Sequence, residues 1–392
     1  MHLRHMDFLV LSHLRWNFVF QRPQQLMTRC SGANRVFFWE EPIYGSDVAR
    51  VELQDAGPNL HVAVPHLPAG LPDDEICRIQ EWMLAQLIVE RGIQDPVLWY
   101  YTPMALGFSR SIESSLVVYD CMDELSAFRG APAGLRALEA ELFGRADVVF
   151  TGGETLYQAK RLLHPSVHCF PSSIDRAFFA TARRIKADPD DQGGIPRPRL
   201  GYCGVIDERM DLDLVRSIAE TRPDWQFVMV GPVVKISLSD LPRRANIHYL
   251  GAKEYHALPS YMAGWDVGLL PFARNESTRF ISPTKTPEYL AAGIPVVSTP
   301  ITDVVCPYGT EGLVHIADTS DAFIACIETA ITNRNNPARL ARVDSFLSQK
   351  SWDQTWHEIS SVLHTHLQSK TSDDRAALVD RTRLHSNRIA AD

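Results

Sequence analysis

The chain has 392 residues, of which 45% are hydrophobic and 22% are charged, and its formal net charge at pH 7 is −8. This length predicts two domains, and the composition is that of a folded protein rather than a disordered one. A net negative charge provides no overall attraction for nucleic acid or for an anionic membrane, so we expect no nucleic-acid partner.

The cysteines and the apolar segments set the expected compartment. Seven scattered cysteines, none in CxxC spacing, indicate neither a disulfide framework nor a zinc site. The sequence contains no run of about 18 apolar residues and no N-terminal pattern of a signal peptide. We therefore expect a cytoplasmic protein without a transmembrane segment, for which peripheral contact with a membrane stays open.

Short apolar runs alternate with helical patterns along the chain. Such runs predict buried parallel strands, near residues 8–11, 36–39, 60–64, 97–100, 116–119 and 147–150. The alternation restarts after residue 198, with strands near 199–202, 226–230, 247–250, 267–270 and 295–298. The predicted fold class is α/β, with two tandem doubly wound Rossmann-like domains that face a cleft.

The most informative segment, residues 282–297, has the sequence SPTKTPEYLAAGIPVV. A polar loop here leads into a helix that we expect to begin near Thr286. Free amides at a helix start favour a phosphate, and Lys285 adds a positive charge beside them. Glu288, in the first turn, would accept paired hydrogen bonds from ribose hydroxyls. The alternative is purely structural: Ser282, Thr284 and Thr286 cap helices, and Glu288 complements the helix dipole.

The string Pro-Thr-Lys-x-x-Glu-Tyr-Leu-Ala-Ala-Gly-x-Pro-Val-Val resembles the donor-binding signature of GT-B-fold glycosyltransferases. The resemblance is to the retaining family four and to bacterial transferases that build cell-envelope polysaccharides. It implies a metal-independent hexosyltransferase that uses a nucleotide-diphosphate sugar, with UDP-sugar favoured, and that retains the anomeric configuration. The first glutamate of the family's Glu-x7-Glu pair falls on Phe280, so that pair is broken, and Glu276 and Asn275 are the nearby polar substitutes.

The resemblance also implies a division of the chain and a set of donor-binding residues. The predicted parts are an acceptor-side domain at 1–180, a Gly- and Pro-rich linker at 181–198, a nucleotide-sugar domain at 199–345, a crossover helix at 346–368 and a flexible tail at 369–392. The predicted donor-binding residues are Gly204, Arg209, Gly231, Ser282, Thr284, Lys285 and Glu288. For Arg209 the alternative is a surface arginine paired with Asp211 or Asp213.

Candidate catalytic residues come from two strand ends of the first half. The loop after the first predicted strand lacks the Gly-rich sequence of many GT-B enzymes and offers His13 and Arg22 instead, to hold donor phosphate or acceptor hydroxyls. Asp120 and Asp123 follow the strand at 116–119, where carboxylates would orient an acceptor hydroxyl or stabilise charge at the anomeric carbon. The structural alternatives are a solvated loop with inward aromatic residues and ordinary aspartate helix caps.

A metal site is not expected. Asp211-Leu212-Asp213 has the Asp-x-Asp form of some metal-binding transferases, but it lies at a predicted helix start and so short a motif is frequent by chance. The expected partners are a nucleotide sugar as co-substrate and a small-molecule, glycan or lipid-linked acceptor. Two other functions remain open: a nucleotide-sugar epimerase of the same fold, and a non-catalytic partner subunit.

Overall fold

The computed structural model describes the backbone of residues 5–389 and the side chains up to residue 371. The first half of this range folds into a nine-stranded sheet with the order β3-β5-β2-β1-β6-β7-β8-β9, in which β4 pairs with β5. Its strands are β1 Asp7–Leu11, β2 Arg35–Trp39, β3 Ile43–Tyr44, β4 Arg50–Gly57, β5 Leu60–Leu67, β6 Val97–Tyr100, β7 Leu116–Cys121, β8 Val148–Thr151 and β9 Val167–Cys169. Its helices are α1 Arg22–Cys30, α2 Asp73–Arg91, α3 Leu106–Ser109, α4 Leu135–Arg145 and α5 Glu154–Lys160.

The second half contains a six-stranded, all-parallel sheet with the order β12-β11-β10-β13-β14-β15. Its strands are β10 Arg199–Cys203, β11 Gln226–Val230, β12 Ile247–Gly251, β13 Val267–Leu270, β14 Val296–Ser298 and β15 Val314–Ile316. The remaining helices are α6 Arg176–Ala180, α7 Asp190–Gly193, α8 Leu212–Thr221, α9 Leu258–Ala263, α10 Lys285–Ala291, α11 Thr302–Val304, α12 Ser320–Thr332, α13 Pro337–Leu347 and α14 Trp352–Ile389.

The predicted α/β class with two Rossmann-like sheets is confirmed. The apolar runs are central strands whose two faces are both covered, as in β1, where Phe8 to Leu11 are fully buried. The structure adds one feature that the sequence reading lacked: β4 is an antiparallel edge strand, half of whose residues are polar, and it pairs with β5. An exposed edge strand needs no continuous apolar run, so the pattern of buried strands could not indicate it.

The two ends of the C-terminal domain interlock with the rest of the chain. Ile174 and Phe179, which precede the predicted linker, pack in the core of the second domain together with Ile195. The linker itself contains a short turn of 3₁₀ helix at Thr181–Arg183 and helix α7. At the other end, Trp352 begins α14, whose apolar face packs in the core of the first domain.

The segment predicted to be a flexible tail is helical in the structure as far as its backbone is described, because α14 continues to Ile389. No helix in the described part of the chain is long and apolar enough to cross a membrane.

Candidate functional site

Two cavities lie in the cleft between the domains, at the carboxyl ends of the strands, where ligands of doubly wound sheets bind. The first, of about 460 Å³, is bounded by Gly204 and Gly231 on one side and by the loop of residues 16–20 on the other. We call it the glycine cavity. The second, of about 100 Å³, is the lysine cavity, and it is lined by Arg22 and Asp123 of the first domain and by Arg209, Ser282, Thr284 and Lys285 of the second.

The position of Lys285 is fixed by the anchoring of helix α10. The hydroxyl of Tyr289, one turn further along, accepts a hydrogen bond of 2.7 Å from the backbone N–H of Cys203 at the end of β10. Gly268 in β13 makes room for the Tyr289 ring, because a Cβ at this position would lie 2.5 Å from its Cδ2 atom. The start of α10 is therefore held against the ends of the central strands.

Glycine is required at both strand ends that face Lys285. Gly204 and Gly231 have φ angles of +152° and +145°, a region that side chains rarely tolerate. A Cβ on Gly204 would lie 2.3 Å from Cε of Lys285, and a Cβ on Gly231 would lie 1.9 Å from the carbonyl oxygen of Gly204. The lysine side chain thus lies directly against the backbone of Gly204, at the carboxyl end of β10, and Gly231 packs against Gly204 from the end of β11.

Arg209 is paired, but with a different residue from those considered in the sequence analysis. Its guanidinium donates three hydrogen bonds of 2.7 to 3.0 Å to the buried carboxylate of Asp207. Burial lowers the pKa of Arg209, but the bonds with Asp207 outweigh this and raise it, so the side chain stays charged. Asp211 instead caps α8 by accepting from Leu214 N, and Asp213 pairs with Arg216 on the surface.

Lys285, in contrast, has no hydrogen bond or ion pair with the described residues. A further cation that the sequence analysis missed is Lys235, whose Nζ lies 4.9 Å from the ring centroid of Phe128 across the cleft. It follows Val230, the last residue of β11, by five positions, and a search for charged residues shortly after strand ends would have found it. Lys285 and Lys235 are thus cations of the cleft that have no ion pair within 4 Å among the described residues.

Two carboxyl groups near these cations have raised pKa values. Burial raises the pKa of Asp123 to about 6, against the opposing charges of Arg209, Lys285 and Lys235. Burial likewise raises the pKa of Glu288 to about 7, against Lys285 and a hydrogen bond from Thr284. Ionisation of these buried carboxyl groups is thus costly, and each carboxylate would gain from a ligand that donates hydrogen bonds to it.

Asp120 and Arg22 form a buried ion pair. Nε of Arg22 donates to both carboxylate oxygens of Asp120 at 3.0 Å, and Nη1 donates to the carbonyl of Phe170 at 2.6 Å. Asp120 is fully buried and does not line the lysine cavity, whereas Arg22 does. The catalytic role predicted for Asp120 therefore needs correction, because its carboxylate holds Arg22 in place and has no access to a substrate.

His13 lines neither the glycine cavity nor the lysine cavity. Burial, together with the charge of Lys235, lowers its pKa to about 4, against a hydrogen bond with the backbone of Tyr101. Its imidazole is therefore neutral near pH 7, and its Nδ1 atom is buried without a hydrogen-bond partner among the described residues.

No acidic side chain close in sequence to Phe280, where the first glutamate of the pair is missing, lines the lysine cavity in its place. Phe280 is half-buried, and Arg279 lies over its ring at 5.2 Å. Asn275 caps the short 3₁₀ turn Glu276–Thr278 through a bond from Thr278 N, and the side chain of Glu276 is 77% exposed. Among the described residues no cluster of three histidine, cysteine or acidic side chains is arranged to hold a metal ion.

Contacts across the cleft hold the two domains together around these cavities. The ring of Phe20 stacks on Tyr255 at 4.4 Å, and Gln25 Nε2 donates to the Tyr255 hydroxyl at 3.0 Å. On the other side of the lysine cavity, Ser172 Oγ donates to the carbonyl of Ser282 at 2.6 Å. The cleft is therefore closed on both sides of the predicted donor residues.

Comparison with solved structures defines the class of fold. A sucrose-phosphate synthase from Thermosynechococcus elongatus is 13% identical, with a TM-score of 0.70 over 93% of this chain and 100% of the synthase chain. An E. coli structure named for trehalose-6-phosphate and bound with UDP-2-fluoro glucose is 12% identical, with a TM-score of 0.66 over 92% and 99% of the chains. The protein HepE of Anabaena, in complex with UDP, is 14% identical, with a TM-score of 0.62 over 92% and 100%. The predicted GT-B fold is confirmed.

Sequence comparison adds a family for the second domain. Residues 197–333 match the family described as Glycosyl transferases group 1. TuaH of Bacillus subtilis (strain 168), a protein assigned as a teichuronic acid biosynthesis glycosyltransferase, is 28% identical over 220 residues, which are 52% of this chain and 55% of that protein. The match thus spans about half of the length of this curated relative. Membership of the retaining family four stays a prediction.

We expect Asp120 and Asp123 to respond differently to replacement by alanine. Asp120→Ala leaves the buried charge of Arg22 without a partner and lowers the free energy of unfolding by about 3–5 kcal/mol. Asp123→Ala removes a carboxylate that has no ion pair within 4 Å, so it changes the stability by at most about 1 kcal/mol. Urea unfolding of the two variants measures the difference, and equal losses would contradict the assigned roles.

Glu288→Gln is expected to stabilise the protein at pH 8 and not at pH 4. In the folded protein the pKa of Glu288 is raised from 4.5 to about 7, so the carboxyl is neutral in both states below pH 4.5. Between pH 4.5 and 7 the unfolded chain loses this proton more readily than the folded protein, so at pH 8 the folded wild type is less stable by about 1–3 kcal/mol, and the variant avoids this loss. Unfolding of the variant and the wild type at both pH values measures the difference in stability. Glu90→Gln, which replaces an exposed carboxyl, is the control and should keep wild-type stability. A gain that is the same at both pH values would disprove the raised pKa.

Proposed function

We propose that this protein is a glycosyltransferase that moves a sugar from a nucleotide-diphosphate sugar, with UDP-sugar favoured, onto an acceptor in the cytoplasm. The observation that carries the proposal is the unpaired Lys285 beside the bare backbone of Gly204, at a strand end where the cleft narrows. The family match of the second domain supports the reaction class. Seven free cysteines fit a reducing compartment.

The nucleotide would occupy the glycine cavity. The backbone at Ala252 and Lys253 lines this cavity after the end of β12 and would hold the base. Glu288 would bind the two ribose hydroxyls, and binding would convert it from a costly buried acid into a hydrogen-bonded carboxylate. Glycine at positions 204 and 231 allows phosphate oxygens to approach the backbone as closely as Lys285 does.

The diphosphate would lie in the lysine cavity, where Lys285 and Arg209 supply charge. In the proposed step the acceptor oxygen bonds to the anomeric carbon while the bond from that carbon to the phosphate oxygen breaks. The electron pair leaves on the phosphate oxygen, and the acceptor proton passes to the diphosphate. Positive side chains that are already in place stabilise the charge where it develops, without a metal ion. Retention of the anomeric configuration belongs to the proposal through the resemblance to family four.

Asp123 would orient the acceptor hydroxyl. It lines the lysine cavity from the first domain, and Arg22, held by Asp120, lines the same wall. A carboxyl with a pKa of about 6 is ionised at neutral pH and accepts a hydrogen bond from a hydroxyl. His13, which lines neither cavity and whose ring is neutral, would pack within the first domain rather than transfer a proton.

Calorimetric titration with UDP, GDP, ADP and dTDP without added metal tests the donor site. We expect UDP to bind best, and Lys285→Ala and Glu288→Ala to weaken its binding by about tenfold or more, since each removes a group that contacts the ligand. Lys186→Ala, which removes an exposed lysine of the linker, is the matched control and should retain wild-type affinity.

The products distinguish the reaction from the alternatives. Incubation with UDP-sugars and candidate acceptors should release UDP together with a glycoside of unchanged anomeric configuration. Formation of a second UDP-sugar without an acceptor would identify an epimerase, and donor binding without turnover would identify a non-catalytic subunit. Absence of binding by any of the four diphosphates would refute the donor site.

A further inference from the structure

A third cavity, of about 530 Å³, opens beside the lysine cavity. We call it the Lys160 cavity. Glu124 and Lys160 line it from the first domain and Phe280 from the second. Glu124 directly follows Asp123, and Phe280 directly precedes Ile281, both of which line the lysine cavity. The Lys160 cavity therefore borders the point at which we place the transfer of the sugar.

The polar part of this cavity is a pre-ordered cluster of side chains. Nζ of Lys160 lies 2.7 Å from Glu124 and 2.9 Å from Glu139, and all three side chains are at most 14% exposed. Ser126 Oγ donates to Glu124, and the Tyr119 hydroxyl donates to Glu139, at 2.7 and 2.9 Å. Fixed carboxylates with free lone pairs are suited to accept hydrogen bonds from neighbouring hydroxyls of a sugar.

The charges that line the cavity cancel. Three acidic residues face three basic ones, namely Glu124, Glu139 and Glu276 against Lys160, Arg136 and Arg279. A phosphorylated or otherwise charged acceptor would need an excess of the opposite sign, as the lysine cavity has for a diphosphate. The balance here favours an acceptor that is uncharged and rich in hydroxyls.

An exposed leucine forms part of the lining, beside the exposed charged side chains of Glu276 and Arg279. Leu163, in the loop after α5, lines the cavity and is 56% exposed, and its neighbour Leu162 is 86% exposed. The ring of Phe143 lies on the wall of the same cavity. Two adjacent leucines in water beside a polar cavity would be covered by an apolar group that leaves the cavity.

From these features we infer that the Lys160 cavity is the acceptor subsite, and that the acceptor combines an uncharged, hydroxylated sugar head with an apolar tail. The inference rests on the proposed function, since it places the acceptor beside the donor sugar. The head would bind to Glu124 and Glu139 and direct one hydroxyl towards Asp123. The tail would leave over Leu162 and Leu163.

The test compares octyl with methyl glycosides of glucose, galactose, mannose and N-acetylglucosamine, each below its critical micelle concentration. Their binding to the full chain, saturated with UDP, is titrated by saturation-transfer NMR. We expect at least one octyl glycoside to bind about tenfold more tightly than its methyl counterpart, because part of the tail is removed from water. The double variant Leu162→Ser, Leu163→Ser should lose this preference.

The matched control is the double variant Val48→Ser, Val89→Ser, which replaces residues that are 68% and 77% exposed and do not line the cavity. It should keep the preference. Equal binding of octyl and methyl glycosides, no binding of either, a preference that survives the leucine variant, or tighter binding of glucose 6-phosphate than of methyl glucoside would each overturn the inference.

UDP is titrated separately into the same protein preparations before the glycosides are added, which separates two kinds of failure. Normal UDP binding without a preference for the octyl tail rejects this acceptor subsite and leaves the donor site intact. Absence of UDP binding rejects the proposed function, and the acceptor subsite with it.

Discussion

The close approach of Lys285 to the backbone at Gly204 determines where the positive charge of the cleft lies. Tyr289 ties the helix that carries this lysine to the end of strand β10, the missing side chain at Gly204 leaves the space that the lysine occupies, and the missing side chain at Gly231 leaves the space for the backbone of Gly204. A side chain at either glycine would displace the lysine or the strand end. The lack of a side chain at Gly204 thus allows a cation to lie against polar backbone.

The ion pairs of the cleft hold the arginine side chains in place, and the charged groups without an ion pair are available to a ligand. Arg209 and Arg22 are each held by a buried aspartate, so their guanidinium groups are fixed before any ligand binds. Lys285, in contrast, has no acidic partner within ion-pair distance in the described part of the chain, and the pKa of Asp123 is raised by burial to about 6. A site with fixed cations and incompletely compensated charge is suited to a dianionic ligand such as a nucleoside diphosphate.

The sequence predicted what local pattern determines and missed what depends on distant contacts. The central strands could be predicted because their burial on both faces requires continuous apolar runs. Strand β4 lies at the sheet edge and contains no such run, so it could not be predicted in this way. The loop and the helix around Lys285 could be predicted because the polar loop, the helix start and the glycine that ends the helix are contiguous in the sequence. The pairing of Arg22 with Asp120 joins residues 98 positions apart, so no local pattern indicated that Asp120 is buried. Lys235 belongs to no motif, and its only signal in the sequence is its place five residues after the strand that ends at Val230.

A crystal structure of the protein with UDP would test the central claim most directly. The account predicts the uracil and ribose in the glycine cavity, with the ribose hydroxyls on Glu288. It also predicts a β-phosphate oxygen within hydrogen-bond distance of Lys285 Nζ. Binding of UDP with its phosphates away from Lys285, or outside the cleft, would contradict the account.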